Sequence, residues 1–263
     1  MITSADNPKV KAARALLYRR GREQAGQCLA EGVRLIEDVS RAGVAPALIF
    51  FVAPAPDATR TIALLDAARA AGVPLWELSP AVFGTLSDTR TSQGVIAVAP
   101  IPAAEPEGDA NPILVLDQVR DPGNLGTILR SAEAAGVTRL LLVRGCVDPW
   151  SPKVLRAGMG AHFRLSLQSG VSWAEAGQQL VGRLLWLADV RGATAYDLVD
   201  WTARCALAIG GETSGFSPEA AALATGRVTI PMAGATESLN AAMAATVLLF
   251  EVARQRRLAN VNR

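Results

Sequence analysis

Short apolar runs alternate with segments of helical periodicity along most of this chain, and that alternation constrains its fold more than any other feature. Ile113–Leu116 and Leu140–Val143 are continuous apolar runs, as in strands that helices cover on both faces. Leu125–Ala135 lies between them, has helical spacing and is closed by Gly136. The pattern predicts an α/β fold with a mostly parallel sheet. Ligands of such sheets bind at the carboxyl ends of the strands.

A proline-rich segment divides the chain. Residues 100–112 contain four prolines, one glycine and three acids, and apolar periodicity stops on both sides of them. With 263 residues, two domains are expected. We therefore predict a small α/β domain over residues 1–100, a linker over 101–112 and a second domain over 113–263.

Local patterns predict the elements of both domains. In the first we expect helices at Asp6–Arg20, Val33–Ala42 and Thr59–Ala71, and strands at Gln27–Glu31, Pro46–Val52, Leu75–Leu78 and Val95–Ala99. In the second we further expect helices at Lys153–Met159, Trp173–Val181 and Ser238–Arg256, and strands at Leu184–Ala188, Cys205–Ile209 and Val228–Pro231.

Scarce histidine and cysteine narrow the possible chemistry. His162 is the one histidine, so mechanisms that need two are excluded, and most zinc sites are unexpected. The three cysteines, Cys28, Cys146 and Cys205, are scattered, which argues against a disulfide framework and fits a reducing cytosol. No uncharged apolar run reaches 18 residues and the N-terminus has no apolar signal core. We expect a cytoplasmic protein without a membrane span or a metal.

The basic residues are unevenly distributed, although the net charge is only +2. Of 26 basic residues, all but Lys9, Lys11 and Lys153 are arginine, the residue suited to bidentate phosphate contacts. No acid occurs between Asn7 and Arg22, a stretch that carries six basic residues. This basic stretch is either a solvated helix face or a positively charged surface that binds nucleic acid.

The first informative loop follows the strand Ile113–Leu116. Residues 117–126 read DQVRDPGNLG, and Asp121-Pro-Gly is a turn signal. Asn124 lies near the start of the next helix, where it either caps the helix or serves a ligand. Arg130 follows among apolar residues of that helix, a setting in which an arginine usually needs a partner or a ligand phosphate.

Two further loops follow strands in the second half. Residues 210–215 read GGETSG, and glycines there permit close approach of backbone to a ligand. The loop is neither a Walker loop nor a nucleophile elbow, and its alternative reading is an ordinary turn. Residues 230–240 read IPMAGATESLN, with Thr236 or Ser238 as candidate helix caps and Asn240 in the first helical turn.

Taken together in order and spacing, these three loops resemble the SpoU (TrmH-like) family of SPOUT methyltransferases. Asn124 and Arg130 stand six apart as in the family's first motif, and Glu212 and Ser238-Leu-Asn240 match the second and third. Residues 29–36, LAEGVRLI, are similar to the family's substrate-binding domain, which is like ribosomal protein L30e. Thr213 departs from the family's usual glycine.

The resemblance implies methyl transfer from S-adenosylmethionine to a ribose 2′-oxygen of RNA. It also implies a deep trefoil knot and a homodimer with active sites built from both subunits. Ribosomal RNA is the leading substrate, and the alternatives are transfer RNA or a non-catalytic RNA-binding or ribosome-assembly protein. The cofactor positions carried over by the resemblance are Ala188, Gly210, Gly211, Ile230, Met232 and Leu239.

The same resemblance assigns the catalytic positions. Arg130 is the family's candidate base or phosphate-binding group, and because arginine stays protonated we favour phosphate binding. The residues expected to orient Arg130 and the ribose are Asn124, Glu212, Ser238 and Asn240. The general base stays open, since the motifs contain no histidine or lysine.

Overall fold

The computed structural model describes residues 1–53, 58–89, 91–104, 112–211 and 215–261. The chain forms two compact units. The first contains Met1–Pro102 together with Trp150–Phe163, and the second contains Ala103–Pro149 and Arg164–Arg263. Most of the predicted linker, residues 105–111, lies outside the described residues.

The first unit is a four-stranded sheet with helices. Its strands are β1 (Gln27–Glu31), β2 (Leu48–Phe51), β3 (Leu75–Glu77) and β4 (Val95–Pro100). Its helices are α1 (Pro8–Ala15), α2 (Arg19–Ala25), α3 (Val33–Arg41), α4 (Thr59–Ala70) and α5 (Pro80–Phe83). The strand order is β1-β4-β2-β3, in which β4 is antiparallel to both neighbours and β2 is parallel to β3. Apolar residues of α1, β1, β2 and β4 share a core that includes Val10, Leu29, Phe50 and Ile96.

The predicted helix over residues 6–20 is confirmed only over Pro8–Ala15, because the chain turns between α1 and α2. Arg22 is buried, and its guanidinium donates a 2.7 Å hydrogen bond to the Leu16 carbonyl oxygen. The packing is so close that a side chain at Gly21 would collide with the Ala15 carbonyl. A satisfied carbonyl and a glycine thus stabilise a turn that helical periodicity alone does not reveal.

A segment from beyond the linker belongs to the first unit. It contains α7 (Pro152–Gly158) and all but the last residue of a 3₁₀ turn over Ala161–Arg164. The α7 residue Arg156 lies 3.8 Å from the Glu31 carboxylate and 3.0 Å from that of Asp88. Sequence alone assigns residues 150–163 to the second half, because an ion pair between residues as far apart in the chain as Glu31 and Arg156 leaves no local signal.

The second unit is built on a seven-stranded sheet whose neighbouring strands are all parallel. The strands are β5 (Ile113–Asp117), β6 (Arg139–Val143), β7 (Ser166–Val171), β8 (Leu184–Ala188), β9 (Thr194–Ala195), β10 (Cys205–Gly210) and β11 (Gly226–Thr229). The helices are α6 (Pro122–Ala134), α8 (Trp173–Gln179), α9 (Pro218–Leu223) and α10 (Ala241–Val261), and a 3₁₀ turn spans Tyr196–Leu198. The order is β7-β6-β5-β10-β8-β11-β9. The predicted α/β class with a mostly parallel sheet is confirmed.

Two helices begin at residues other than those predicted. The residues that cap them also differ from the candidate caps. The α6 helix begins at Pro122, and Asp121 caps it by accepting a 2.8 Å hydrogen bond from the Asn124 backbone N–H. The α10 helix begins at Ala241, and the Asn240 side chain accepts from the backbone N–H groups of Ala242 and Met243. Asn240 is therefore a helix cap, and Asp121, not Asn124, occupies the cap position of α6.

Among the described residues, no helix is long and apolar enough to cross a membrane.

Candidate active site

A cavity of about 490 Å³ lies in the second unit where β8, β10 and β11 end. This is the carboxyl edge of the parallel sheet, where α/β proteins bind ligands. Its volume falls in the range of small-molecule sites, roughly 300–1,000 Å³. All six positions expected to bind the cofactor line it, and so does Ser238: Ala188, Gly210, Gly211, Ile230, Met232, Ser238 and Leu239.

The two glycines at the end of β10 are required by close packing. A Cβ on Gly210 would lie 3.1 Å from the Gly215 carbonyl oxygen, and one on Gly211 would lie 2.4 Å from the Gln118 carbonyl oxygen. The Gly215 N–H donates a 3.1 Å bond to the Gly211 carbonyl. The two described ends of the loop, Gly211 and Gly215, are therefore hydrogen-bonded to each other, and both line the cavity. Glu212 and Thr213 lie outside the described residues.

Charged groups on one wall of the cavity were missed by sequence reasoning. Asp189 directly follows β8, and its carboxylate accepts hydrogen bonds from the Arg191 backbone N–H (2.9 Å) and from the Arg227 guanidinium. Burial alone raises the pKa of Asp189, but these bonds and the positive charges of both arginines outweigh it, so the pKa lies below its ordinary value. Its place just after a strand, beside Ala188, is the signal that could have found it.

A pair of asparagines connects the first and third loops. The Asn240 side-chain N–H donates a 3.0 Å hydrogen bond to the side-chain oxygen of Asn124. Further along, the hydroxyls of Ser131 on α6 and Thr246 on α10 are 2.7 Å apart. These contacts place α6 and α10 side by side with their N-termini at the same end. Two predicted site residues, 116 positions apart, are thereby in direct contact.

Arg130 points away from the apolar side of α6. Ile128, Leu129 and Ala132 are buried, whereas Arg130 is exposed. The interpretation that its surroundings are apolar is therefore wrong. Within the described ranges Arg130 makes no hydrogen bond or ion pair with another side chain. Its guanidinium is available to a phosphate.

No cluster of three or more histidine, cysteine, aspartate or glutamate residues that could hold a metal occurs in the part of the chain that the structure describes.

A parallel α/β sheet with a cavity at its carboxyl edge, lined by the segments that follow β8, β10 and β11, defines a small-molecule-binding α/β protein with an additional α/β unit. Asn124, Arg130 and Asn240 do not line this cavity. Comparison with known proteins makes the class specific. Residues 111–250 match the SpoU rRNA Methylase family, and residues 7–97 match the MRM3-like substrate binding domain. The chain belongs to the SpoU rRNA methylase family.

Individual relatives cover most of the chain. It is 36% identical to the mitochondrial rRNA methyltransferase 3 of Mus musculus, over 90% of this chain and 69% of that protein. It is 31% identical to the 23S rRNA (guanosine(2553)-2′-O)-methyltransferase RlmP of Bacillus subtilis, over 95% of this chain and 98% of that one. The SpoU methyltransferase AviRb of Streptomyces viridochromogenes, solved with its cofactor AdoMet, has a TM-score of 0.84 and 30% identity, over 95% of this chain and 98% of that chain.

Proposed function

We propose that this protein transfers a methyl group from S-adenosylmethionine to a ribose 2′-hydroxyl of ribosomal RNA. The observation that carries the proposal is that the second and third motif loops line one cavity, and that a hydrogen bond between Asn124 and Asn240 ties the first motif to the third. A relative named as an rRNA methyltransferase supports the substrate, and one named as a 23S rRNA 2′-O-methyltransferase supports both the reaction and the substrate. The test is to map 2′-O-methyl sites in total RNA with and without the gene. Loss of one ribosomal site is expected, and an unchanged map would contradict the proposal.

The cavity suits S-adenosylmethionine in chemistry. Val228, Ile209 and Leu248 offer apolar surface for an adenine ring, and Gly210 and Gly211 offer backbone groups. Asp189 and Arg227 supply opposite charges for a ligand that carries both signs. When bound, the cofactor supplies a methyl group already activated by its sulfonium sulfur.

The remaining work is positioning, which suits the residues present. The ribose hydroxyl must lose its proton as the methyl group is transferred. In this proposal Arg130 binds an RNA phosphate next to the reacting ribose and stabilises the developing negative charge on oxygen. Asn124 and Asn240 orient each other and the ribose, and we assign Ser238 of the third motif and Glu212 of the second the same orienting role. No side chain is assigned as the base.

We assign RNA binding to residues 1–100, a connecting role to 101–112 and methyl transfer to 113–263. The match of residues 7–97 to a substrate binding domain supports the first assignment. A mixed four-stranded sheet with flanking helices is compatible with an L30e-like domain. Transfer RNA is the less favoured substrate, since a tRNA 2′-hydroxyl methylation structure matches only 59% of this chain.

We also propose a trefoil knot in the second unit. The strand order supports it, because β10 follows β8 and β9 in the chain yet lies between β5 and β8. The C-terminal helix then returns to the segment before β10. Arg256 donates to the carbonyl oxygens of Trp201 and Ala203, and Gln255 donates to that of Val199.

A homodimer accounts for an apolar face of α10. Met243, Val247 and Phe250 are 62%, 37% and 50% exposed, and their spacing of four and three puts them on one face. Contiguous apolar surface of this kind marks association sites. We propose that two copies pack through this face and that both contribute to each active site.

Cys28, Cys146 and Cys205 form no disulfide in the described residues, which supports a reducing compartment such as the cytoplasm. Burial raises the pKa of Cys146 to about 11, so that thiol stays protonated and unreactive.

A further inference from the structure

The carboxylate of Asp117 is fully buried at the carboxyl end of β5. In the sheet register it stands opposite Gly210, the last residue of β10. Burying a carboxylate is costly unless hydrogen bonds compensate it, so such a group calls for a reason.

The partners of Asp117 come from two different elements. Its Oδ2 accepts a 3.2 Å hydrogen bond from the Trp173 indole N–H and a 3.1 Å hydrogen bond from the Ser217 backbone N–H. Trp173 is the first residue of α8, whereas Ser217 caps α9 and ends the loop that follows β10. One oxygen thus ties the end of β5 to the far end of that loop.

The start of the same loop also packs against Gln118, the residue that follows Asp117. Gly211 lies against the Gln118 backbone so closely that a Cβ would come within 2.4 Å of the carbonyl oxygen. Gln118 itself has a φ of 59°, the left-handed region that is rare for residues other than glycine. Between these two attachments, Gly211, Gly215 and Phe216 line the cavity.

We propose that Asp117 is a positioning residue, which holds the cavity-lining residues Gly211, Gly215 and Phe216, between β10 and α9, in place for the cofactor. The inference rests on the proposed function, because it assigns a task within cofactor binding. Asp117 does not line the cavity and acts through the Ser217 backbone and the Gln118–Gly211 contact.

Two matched pairs of variants of the full chain distinguish the positioning role of Asp117 from a purely structural role. Asp117→Ala removes both hydrogen bonds, and its control Trp173→Phe removes only the bond to α8. Ser217→Pro removes the backbone donor, at a residue whose φ of −67° suits proline. Its control Ser217→Ala removes the hydroxyl cap of α9 and keeps the donor.

The measurements are the Kd for S-adenosylmethionine by calorimetry and a melting curve on the same samples. We expect Asp117→Ala and Ser217→Pro to weaken binding about tenfold or more, as for a lost hydrogen bond to a charged group. Trp173→Phe and Ser217→Ala should bind within about twofold of wild type, although they lower the melting temperature. The positioning role would be overturned if the wild type binds S-adenosylmethionine and, in each pair, the variant and its control change the Kd equally.

If Asp117→Ala does not fold, the Ser217 pair decides the question alone. Wild-type protein that does not bind S-adenosylmethionine would overturn the proposed function and the inference together. Normal wild-type binding with unchanged affinity in Ser217→Pro overturns the inference only.

Discussion

The side-chain N–H of Asn240 donates a 3.0 Å hydrogen bond to the side-chain oxygen of Asn124, while the oxygen of Asn240 caps α10. One amide therefore fixes the start of the C-terminal helix and the orientation of a residue on α6. An amide has a donor and an acceptor side, so each of its two ends meets the group that it can bind. The arrangement couples the third motif to the first.

The two functions of Asn240 can be separated by mutation. Asn124→Ala removes the contact between the asparagines and leaves the cap, whereas Asn240→Ala removes both. We expect each variant to lose methylation on the order of 100-fold, the effect of a small misplacement of reacting groups. Only Asn240→Ala should also lose ~1 kcal/mol of stability through the missing cap. Single-turnover methylation and melting curves test this, and a fully active Asn124→Ala would contradict it.

Arg130 is expected to act on RNA and not on the fold. Because it is exposed and Ile128 and Leu129 supply the buried face of α6, Arg130→Ala should melt like wild type and bind S-adenosylmethionine normally. Methylation should fall on the order of 100- to 1,000-fold. Arg130→Lys should rescue it only in part, since lysine lacks the planar fork. Near-normal methylation by Arg130→Ala would remove Arg130 from the catalytic set.

From the depressed pKa of Asp189 we predict that part of the protein's stability is lost at acid pH. Its pKa is depressed in the folded state, chiefly by Arg191 N–H and Arg227 acting against burial. The carboxylate therefore stabilises the fold above its unfolded pKa, about 3.9, and this contribution is lost as the pH falls through the folded pKa. The melting-temperature gap between wild type and Asp189→Asn should close below about pH 4.

The control for Asp189 is Asp66→Asn, which breaks an exposed ion pair with Arg69. Exposed pairs contribute little, so its melting curve should follow wild type throughout. A constant gap for Asp189→Asn between pH 7 and pH 3 would contradict the assignment.

The α10 face predicts the oligomeric state. Phe250→Glu puts a charge into the proposed interface and should convert a dimer into a monomer with little methylation activity. Val181→Glu is the control, because Val181 is 72% exposed and lies between α8 and β8. Light scattering after size-exclusion chromatography measures the mass. A dimer that persists in Phe250→Glu would place the interface elsewhere.

We predict that basic residues of the first unit contribute to RNA binding and that this contribution depends on salt. Lys9 lies 4.6 Å from the centre of the Trp76 ring, and Arg20 is exposed. If both contact phosphates, Lys9→Gln with Arg20→Gln should weaken binding and reduce the slope of log affinity against log salt by about 1.5. Cofactor affinity should not change. The control Arg69→Gln, in the same unit, should leave the slope unaltered, and an unchanged slope in the double variant would reject this surface.

Local pattern determined much of this protein. Gln27–Glu31 and Leu184–Ala188 form strands with the bounds that their apolar sequences predict, and the parallel sheet follows from the same alternation. The six candidate cofactor positions surround one cavity because they follow strands that end at a common edge. The strand Ser166–Val171 was missed, because only two of its residues are buried and its sequence is largely polar.

Tertiary structure decided what depends on partners distant in the chain. Several residues near each helix start can serve as the cap, and the chosen ones, Asp121 and Asn240, leave Asn124 facing Asn240. Arg156 joins α7 to the first unit through Glu31, and Asp117 reaches Ser217 across 100 residues. Sequence periodicity reports which face of an element is buried. It carries no information on which other element meets that face, because the pairing depends on strand order and on how the loops close around it.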